Sequence, residues 1–389
     1  MDTPDISPAV SGNAGATASS SMTLTPALMS SFKPARVFNK TEATDECSFT
    51  SLAFDDQGQF AIAAAEDESL YLLDAQTGIQ QKVYNVEKYG ARLVRFTHSS
   101  SAILHTSAKD DVNIRYMSLH DNKYLRTFKG HKQPIVSMAM SPKDDTFLSG
   151  AVNDTVKLWD LRQASALGSL DIANHPSVAY DPSGMVFAVG LNLNSSISMY
   201  DRRQFDSQPF LTPKINDMVI AASSTPHHIP VITSLSFSND GNCLLVGTSG
   251  DVHYVLDAFD GNVMARLVSE EPVSKVNGTG PGLERAITSP HVSPIVPVAG
   301  ISGEEVTWSP DGRFIISGSI DGKINIWDFK LPETRSESGS PFGPTYSMYP
   351  IKTLDAHANP SRVVKFNPKK AMFASAGHEI AFWLPDLSK

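Results

Sequence analysis

One unit of short alternating strands recurs along the chain, and its period restricts the fold more than any other feature. The clearest copy opens with Gly130-His131-Lys132-Gln133-Pro134 and passes through Ile135 to Met140 and Ser141-Pro142. It continues through Phe147-Leu148-Ser149-Gly150 and closes on Thr155-Val156-Lys157-Leu158-Trp159-Asp160. Apolar and polar residues alternate within each run and turn formers separate the runs, the pattern of half-buried antiparallel strands. A second clear copy runs from Val306-Thr307-Trp308 through Phe314-Ile315-Ile316-Ser317 to Lys323-Ile324-Asn325-Ile326-Trp327-Asp328. Five weaker copies share the layout, with closing runs at 70–74, 112–116, 197–201, 254–257 and 381–385.

The early copies end at Asp74, Met117, Asp160 and Asp201, which are spaced 43, 43 and 41 residues apart. A period of about 40–45 residues with Gly-His and Trp-Asp pairs marks a WD-repeat β-propeller. One small sheet cannot bury both of its apolar faces, so the copies pack radially and cover one another. The expected fold is therefore an all-β, seven-bladed WD-repeat β-propeller over residues 32–389. Phe32-Lys33-Pro34-Ala35-Arg36-Val37-Phe38 has strand character, while too few residues follow Trp383 for a further strand. We expect this N-terminal strand to complete the last blade, close the ring and remove an open sheet edge. Longer spacings later in the chain imply insertions at 202–230, 266–302 and 329–353, the last two rich in loop-forming residues. Residues 1–31, mostly Ser, Thr, Ala, Gly and Pro, read as a disordered tail.

Composition narrows the function. A formal charge of −9, from 32 Lys+Arg against 41 Asp+Glu, argues against a protein held mainly by nucleic-acid phosphates. No apolar run approaches the roughly 18 residues of a bilayer span, and the N-terminus lacks the pattern of a signal peptide. The expectation is an intracellular protein with no membrane partner and no sequence-specific nucleic acid. Cys47 and Cys243 sit in apolar stretches and read as buried thiols. Gly278-Thr279-Gly280-Pro281-Gly282 resembles a phosphate loop, but no Lys-Ser/Thr follows it. His227-His228 lacks a third ligand at useful spacing. With no nucleophile elbow either, we expect a non-enzyme without metal or cofactor.

The remaining polar residues divide into structural and binding candidates. His131, Ser149, Asn153 and Trp159 are spaced to form a hydrogen-bond chain within the third blade, with Asp154 beside Asn153. Asn153 can accept a bond there but lacks the charge assistance of a carboxylate. Asp67, Asp110 and Asp321 occupy the same turn elsewhere, and Asn194, Gly250 and Gly377 do so in the remaining copies. Most blades are thus expected to lack the complete chain. Two basic and aromatic clusters stand out against the acidic background: Lys88, Tyr89, Arg92 and Arg95, then Lys123, Tyr124, Arg126, Lys129 and Lys132. From them Lys88, Tyr89, Arg92, Lys123, Arg126 and Lys132 form a candidate partner surface for an acidic or phosphorylated peptide.

Several segments resemble one family in particular. They are Lys88-Tyr89-Gly90, Arg95-Phe96-Thr97-His98, His120-Asp121-Asn122-Lys123-Tyr124-Leu125-Arg126, the run from Met140 to Phe147, Leu158-Trp159-Asp160-Leu161-Arg162 and Ala381-Phe382-Trp383-Leu384-Pro385. The family is the WD-repeat subunit shared by the COMPASS histone H3 lysine-4 methyltransferase complex and the nuclear cleavage-and-polyadenylation machinery. In animals the corresponding subunit also serves a nuclear protein-phosphatase-1 complex. The resemblance covers about residues 22–260 and 303–387. It implies a nuclear, non-catalytic scaffold that docks the methyltransferase catalytic subunit and subunits of the phosphatase or termination module. It also implies a link to the phosphorylated tail of RNA polymerase II. A different class is open as well: Trp159-Asp160-Leu161-Arg162 matches the tetrapeptide of propellers that serve as substrate receptors of cullin-RING ubiquitin ligases, where Arg162 would contact the adaptor.

Overall fold

The computed structural model describes residues 23–39, 47–109, 111–192, 194–205, 207–215, 231–249, 252–269, 304–319, 321–330, 347–361 and 363–386. Their strands form seven separate sheets. The first three blades have four strands each, with inner strands Phe49–Phe54, Val94–Phe96 and Ile135–Met140. Inner strands Ser177–Tyr180, Ile232–Phe237, Val306–Trp308 and Val363–Phe366 begin blades four to seven. Seven clusters of buried apolar side chains lie one in each seam between neighbouring blades. The period seen in the sequence therefore follows from burial: each blade supplies half of two seams, and the ring leaves none open.

The ring closes as its strand count requires. Phe32–Phe38 pairs antiparallel with Ile380–Pro385, so one sheet joins both ends of the chain. Phe32 is buried and stacks on Phe373 with ring centroids 5.2 Å apart. Residues just before this strand depart from the expected tail. Pro26–Ser30 is a short helix capped by Thr25, whose hydroxyl accepts from the Leu28 amide at 3.2 Å. Met29 and Leu24 are buried in the seam between blades six and seven, which offsets the entropy of ordering so polar a segment. Residues 1–22 lie outside the described residues.

Each of the three expected insertions contains residues that pair with a blade. In blade four, Leu211 and Lys214 bridge to Met199 and Ser196, so residues 210–215 line the outer edge of a sheet with three regular strands. Pro213 lies in this edge segment, where a missing amide is tolerated. Val263–Val268 is the outer strand of blade five, and its last three residues fall in the span read as 266–302. The span 329–353 holds Ser347–Met348, a fifth strand parallel to that outer strand, and the start of Lys352–Asp355, the outer strand of blade six. These strands have weak local patterns because they pair along exposed edges, where alternation is not enforced by two buried faces.

Within each blade the turn from second to third strand lies at the same end as the connection to the next blade. We call this the upper end. The other turns lie at the lower end. At the centre, the inner strands surround a polar cavity of about 90 Å³ lined by Arg95, Ser137, Ser177, Ser234, Glu304 and Lys365 among others.

Candidate interaction surfaces

In blade three, His131 Nε2 lies 2.6 Å from Ser149 Oγ, which accepts from Trp159 Nε1 at 2.8 Å. His131 Nδ1 donates to Asp154 Oδ2 at 3.1 Å. Burial pushes this histidine down to about 4, which keeps the ring neutral and lets Nε2 accept from the serine hydroxyl. The carboxylate that ends the chain is Asp154 rather than Asn153. Asn153 takes the left-handed conformation at φ 48°, and its side-chain oxygen accepts from the Asn174 amide at 2.8 Å. That turn swings Asn153 away and leaves the next residue facing the histidine.

Blade seven has the same chain from residues that the sequence spacing does not reveal. His357 Nε2 lies 2.7 Å from Ser375 Oγ, which accepts from Trp383 Nε1 at 2.8 Å, and His357 Nδ1 lies 3.3 Å from Glu379. Gly377 occupies the expected carboxylate position, and the longer Glu379 reaches back from two residues further on. Blade six departs in the other direction despite its clear repeat. Ser317 there meets His253 of blade five at 2.8 Å, and Asp321 pairs with Lys323 at 2.9 Å. Asp67 instead accepts from the Ser69 amide and the Tyr71 hydroxyl, at 3.0 and 2.7 Å. Asn194 is exposed, while Asp110, Gly250, the glycine-rich run at 278–282 and His227-His228 lie outside the described residues.

The basic candidates divide between both ends of the ring. Lys88, Tyr89 and Arg92 lie on the connection from blade one to blade two, and Lys132 on the next connection, all at the upper end. The Lys88 ammonium is 5.0 Å from the centre of the Tyr89 ring. Arg92 is half-buried, and its carbonyl accepts from Thr50 Oγ1 at 2.8 Å. Lys132 is exposed and its amide donates to Asp154 at 2.9 Å. Arg95 leaves the cluster altogether and pairs with Glu304 in the channel.

Arg115, which the sequence did not mark, joins the two clusters. Its guanidinium sits 3.3 Å from the Tyr89 ring centre and 5.8 Å from that of Tyr124, and the two rings pack edge to face at 5.9 Å. Asp111 fixes it through bonds of 3.1 and 2.6 Å. A charged residue set between Ile114 and Tyr116 in a strand-like run was the available signal.

Lys123 is exposed at the lower start of the outer strand Lys123–Phe128. Arg126 faces blade three, where its guanidinium donates to the Leu161 carbonyl. Beside it lies Arg162, 76% exposed in its side chain and held by two oxygens of Asp160 at 2.9 and 2.7 Å. A groove of about 410 Å³ between blades two and three is lined by Arg126, Arg162, Leu125, Tyr116, Asp145 and Leu161 with Thr97 and Ser99. Among the described residues no group of His, Cys, Asp or Glu side chains could hold a metal ion, and no helix is long and apolar enough to cross a membrane.

Seven radial blades with His–Ser–Trp chains in two of them define a WD-repeat β-propeller. The family model described as WD domain, G-beta repeat, matches residues 122–160 and 298–328. The chain is 36% identical to "WD repeat-containing protein 82" of Drosophila melanogaster over 93% of its own length and 97% of that protein. It is 35% identical to "Set1 complex component swd2" of Schizosaccharomyces pombe, covering 92% and 97% of the two chains. For "COMPASS component SWD2" of Saccharomyces cerevisiae the identity is 30%, with 91% and 96% covered. The chain therefore belongs to the family of WD-repeat proteins that includes these Set1 and COMPASS components.

Proposed function

We propose that this protein is a non-catalytic scaffold subunit of a Set1/COMPASS-type histone H3 lysine-4 methyltransferase complex in the nucleus. The observation that carries the reading is near-full-length similarity to two proteins named as components of that assembly. A closed ring suits the role, because rigid blades hold exposed turns and edges in fixed relative positions for several partners. Its partners are then the methyltransferase catalytic subunit and other subunits of the complex. We extend the proposal to a second assembly, the cleavage-and-polyadenylation and phosphatase machinery, with a link to the phosphorylated tail of transcribing RNA polymerase II. Lys88, Tyr89, Arg92 and Lys132 at the upper end, with Lys123 and Arg126 lower on the ring, are the proposed contacts. Support comes from cationic and aromatic groups gathered on an acidic protein.

Affinity purification of the tagged protein from nuclear extract, followed by mass spectrometry, tests both parts. Methyltransferase and polyadenylation subunits are expected together. Recovery of a cullin and its adaptor without either set would replace the proposal with the ligase reading, for which exposed Arg162 is the contact.

A further inference from the structure

Four blades carry the same irregularity between their third and outer strands. The pairing skips one residue of the outer strand, Gln81 in blade one, Leu125 in blade two, Met264 in blade five and Ala35 in blade seven. Such bulges bend a strand and re-aim the extra side chain. The four skipped residues meet different surroundings. Gln81 is polar and exposed, and its side-chain amide donates to Asp74 Oδ2 at 3.4 Å, while Ala35 exposes only a methyl group. Met264 is 8% exposed; Ser347–Met348 adds to the edge of its strand, and Met348 packs on the cluster that holds it. Leu125 is apolar and 52% exposed, and no further strand of the described residues pairs with its edge.

Leu125 also opens onto the groove between blades two and three, which Arg126 and Arg162 both line. Each is positioned from inside the protein, Arg126 by the Leu161 carbonyl and Arg162 by Asp160. Each keeps N–H groups with no partner among the described residues. Asp145 lines the same groove and disfavours a run of several acidic side chains. A single carboxylate next to a bulky apolar side chain complements this set: the apolar group covers Leu125 and Tyr116, and the carboxylate bridges the guanidiniums.

We propose that an extended partner segment carrying one acidic residue beside an apolar one docks in this groove along the outer edge of Lys123–Phe128. It would cover Leu125 as Ser347–Met348 covers the edge of Val263–Val268, by strand addition to an open edge. Only the identity of the partner rests on the scaffold reading.

The test is selection of a phage-displayed library of random linear peptides on the full-length protein, followed by binding measurements with synthetic copies of the selected peptides. Selected sequences are expected to carry Asp or Glu within two residues of Leu, Ile, Met or Phe. Their affinity should fall at least about tenfold in both Leu125→Glu and Arg126→Glu/Arg162→Glu, and stay unchanged in Lys369→Glu on blade seven. If charge reversal lowers the melting temperature, Arg126→Gln/Arg162→Gln replaces it, keeping donors while removing charge. Absence of selected binders, binders without an acidic residue, or binders indifferent to these substitutions would overturn the proposal. Failure of the scaffold reading shows separately, as absence of methyltransferase subunits from the wild-type purification.

Discussion

The carboxylate of Glu304 lies 3.3 Å from the ammonium of Lys365, where blades six and seven meet beside the central cavity. It also pairs with Arg95 and accepts from Ser51 Oγ at 3.1 Å and the Leu52 amide at 3.3 Å. One side chain at the start of blade six thereby ties blades one, two and seven to it. Burial opposes its charge, but Arg95 and Lys365 outweigh that penalty and hold it below the usual glutamate range.

Glu304→Ala should therefore cost about 3–5 kcal/mol, because it strands two cations in a polar but confined cavity. The checking measurement is the urea midpoint, with an unchanged denaturant slope showing that the unfolded state is unaffected. Glu304→Ala/Lys365→Met should recover part of the loss. A single variant as stable as wild type would mean that the central carboxylate does not hold the blades.

Closure of the ring rests on Phe32 in the same physical sense. Phe32→Ala removes a buried ring stacked on Phe373 and should cost about 3–5 kcal/mol in thermal or chemical unfolding. Deleting residues through 38 goes further, since it exposes the edge of Ile380–Pro385 and should give an expanded, aggregating protein in size-exclusion chromatography. A compact monomer after that deletion would show that the last blade closes without its N-terminal strand.

Asp154 and Asn153 make a sharp comparison between adjacent residues. Asp154→Ala leaves a buried histidine without its acceptor and should cost about 1–3 kcal/mol. Asn153→Gly suits the left-handed turn and should cost less. Equal losses in matched melting experiments would contradict the assignment of the chain to Asp154.

Acid should destabilise the protein through its buried histidines. Burial pushes His105, His131, His175 and His253 down to about 4 from 6.5. The unfolded chain binds protons on these groups before the folded one does, so their contribution is complete above about pH 6.5 and falls as pH drops toward about 4. The slope is up to about 1.4 kcal/mol per pH unit for each histidine. His98 acts oppositely: its bond to Asp56 raises its pKa, so its contribution is present in acid and fades as pH rises through that raised value. Calorimetry across this range checks the sum, and His105→Leu should flatten the slope by one proton. A slope untouched by that change would show that His105 is protonated alike in both states.

Much of the fold was legible from local patterning. Alternation and turn residues act over a few positions, so seven copies, their period and the closing role of Phe32–Phe38 could be read without coordinates. Similarly, Trp159, Ser149 and His131 announced their chain because each stands at a fixed place in its repeat.

Tertiary structure decided what depends on direction and on distant strands. Turn conformation, not spacing, selected Asp154 over Asn153, and side-chain reach brought Glu379 to His357. Arg95 reads as part of a surface cluster in sequence, yet an inner strand turns it onto Glu304 from the far side of the chain. Arg126 and Arg162 belong to separate motifs and share a groove only because adjacent blades pack side by side. A strand pattern specifies which face is buried; ring closure alone specifies which residues meet across a seam or a channel.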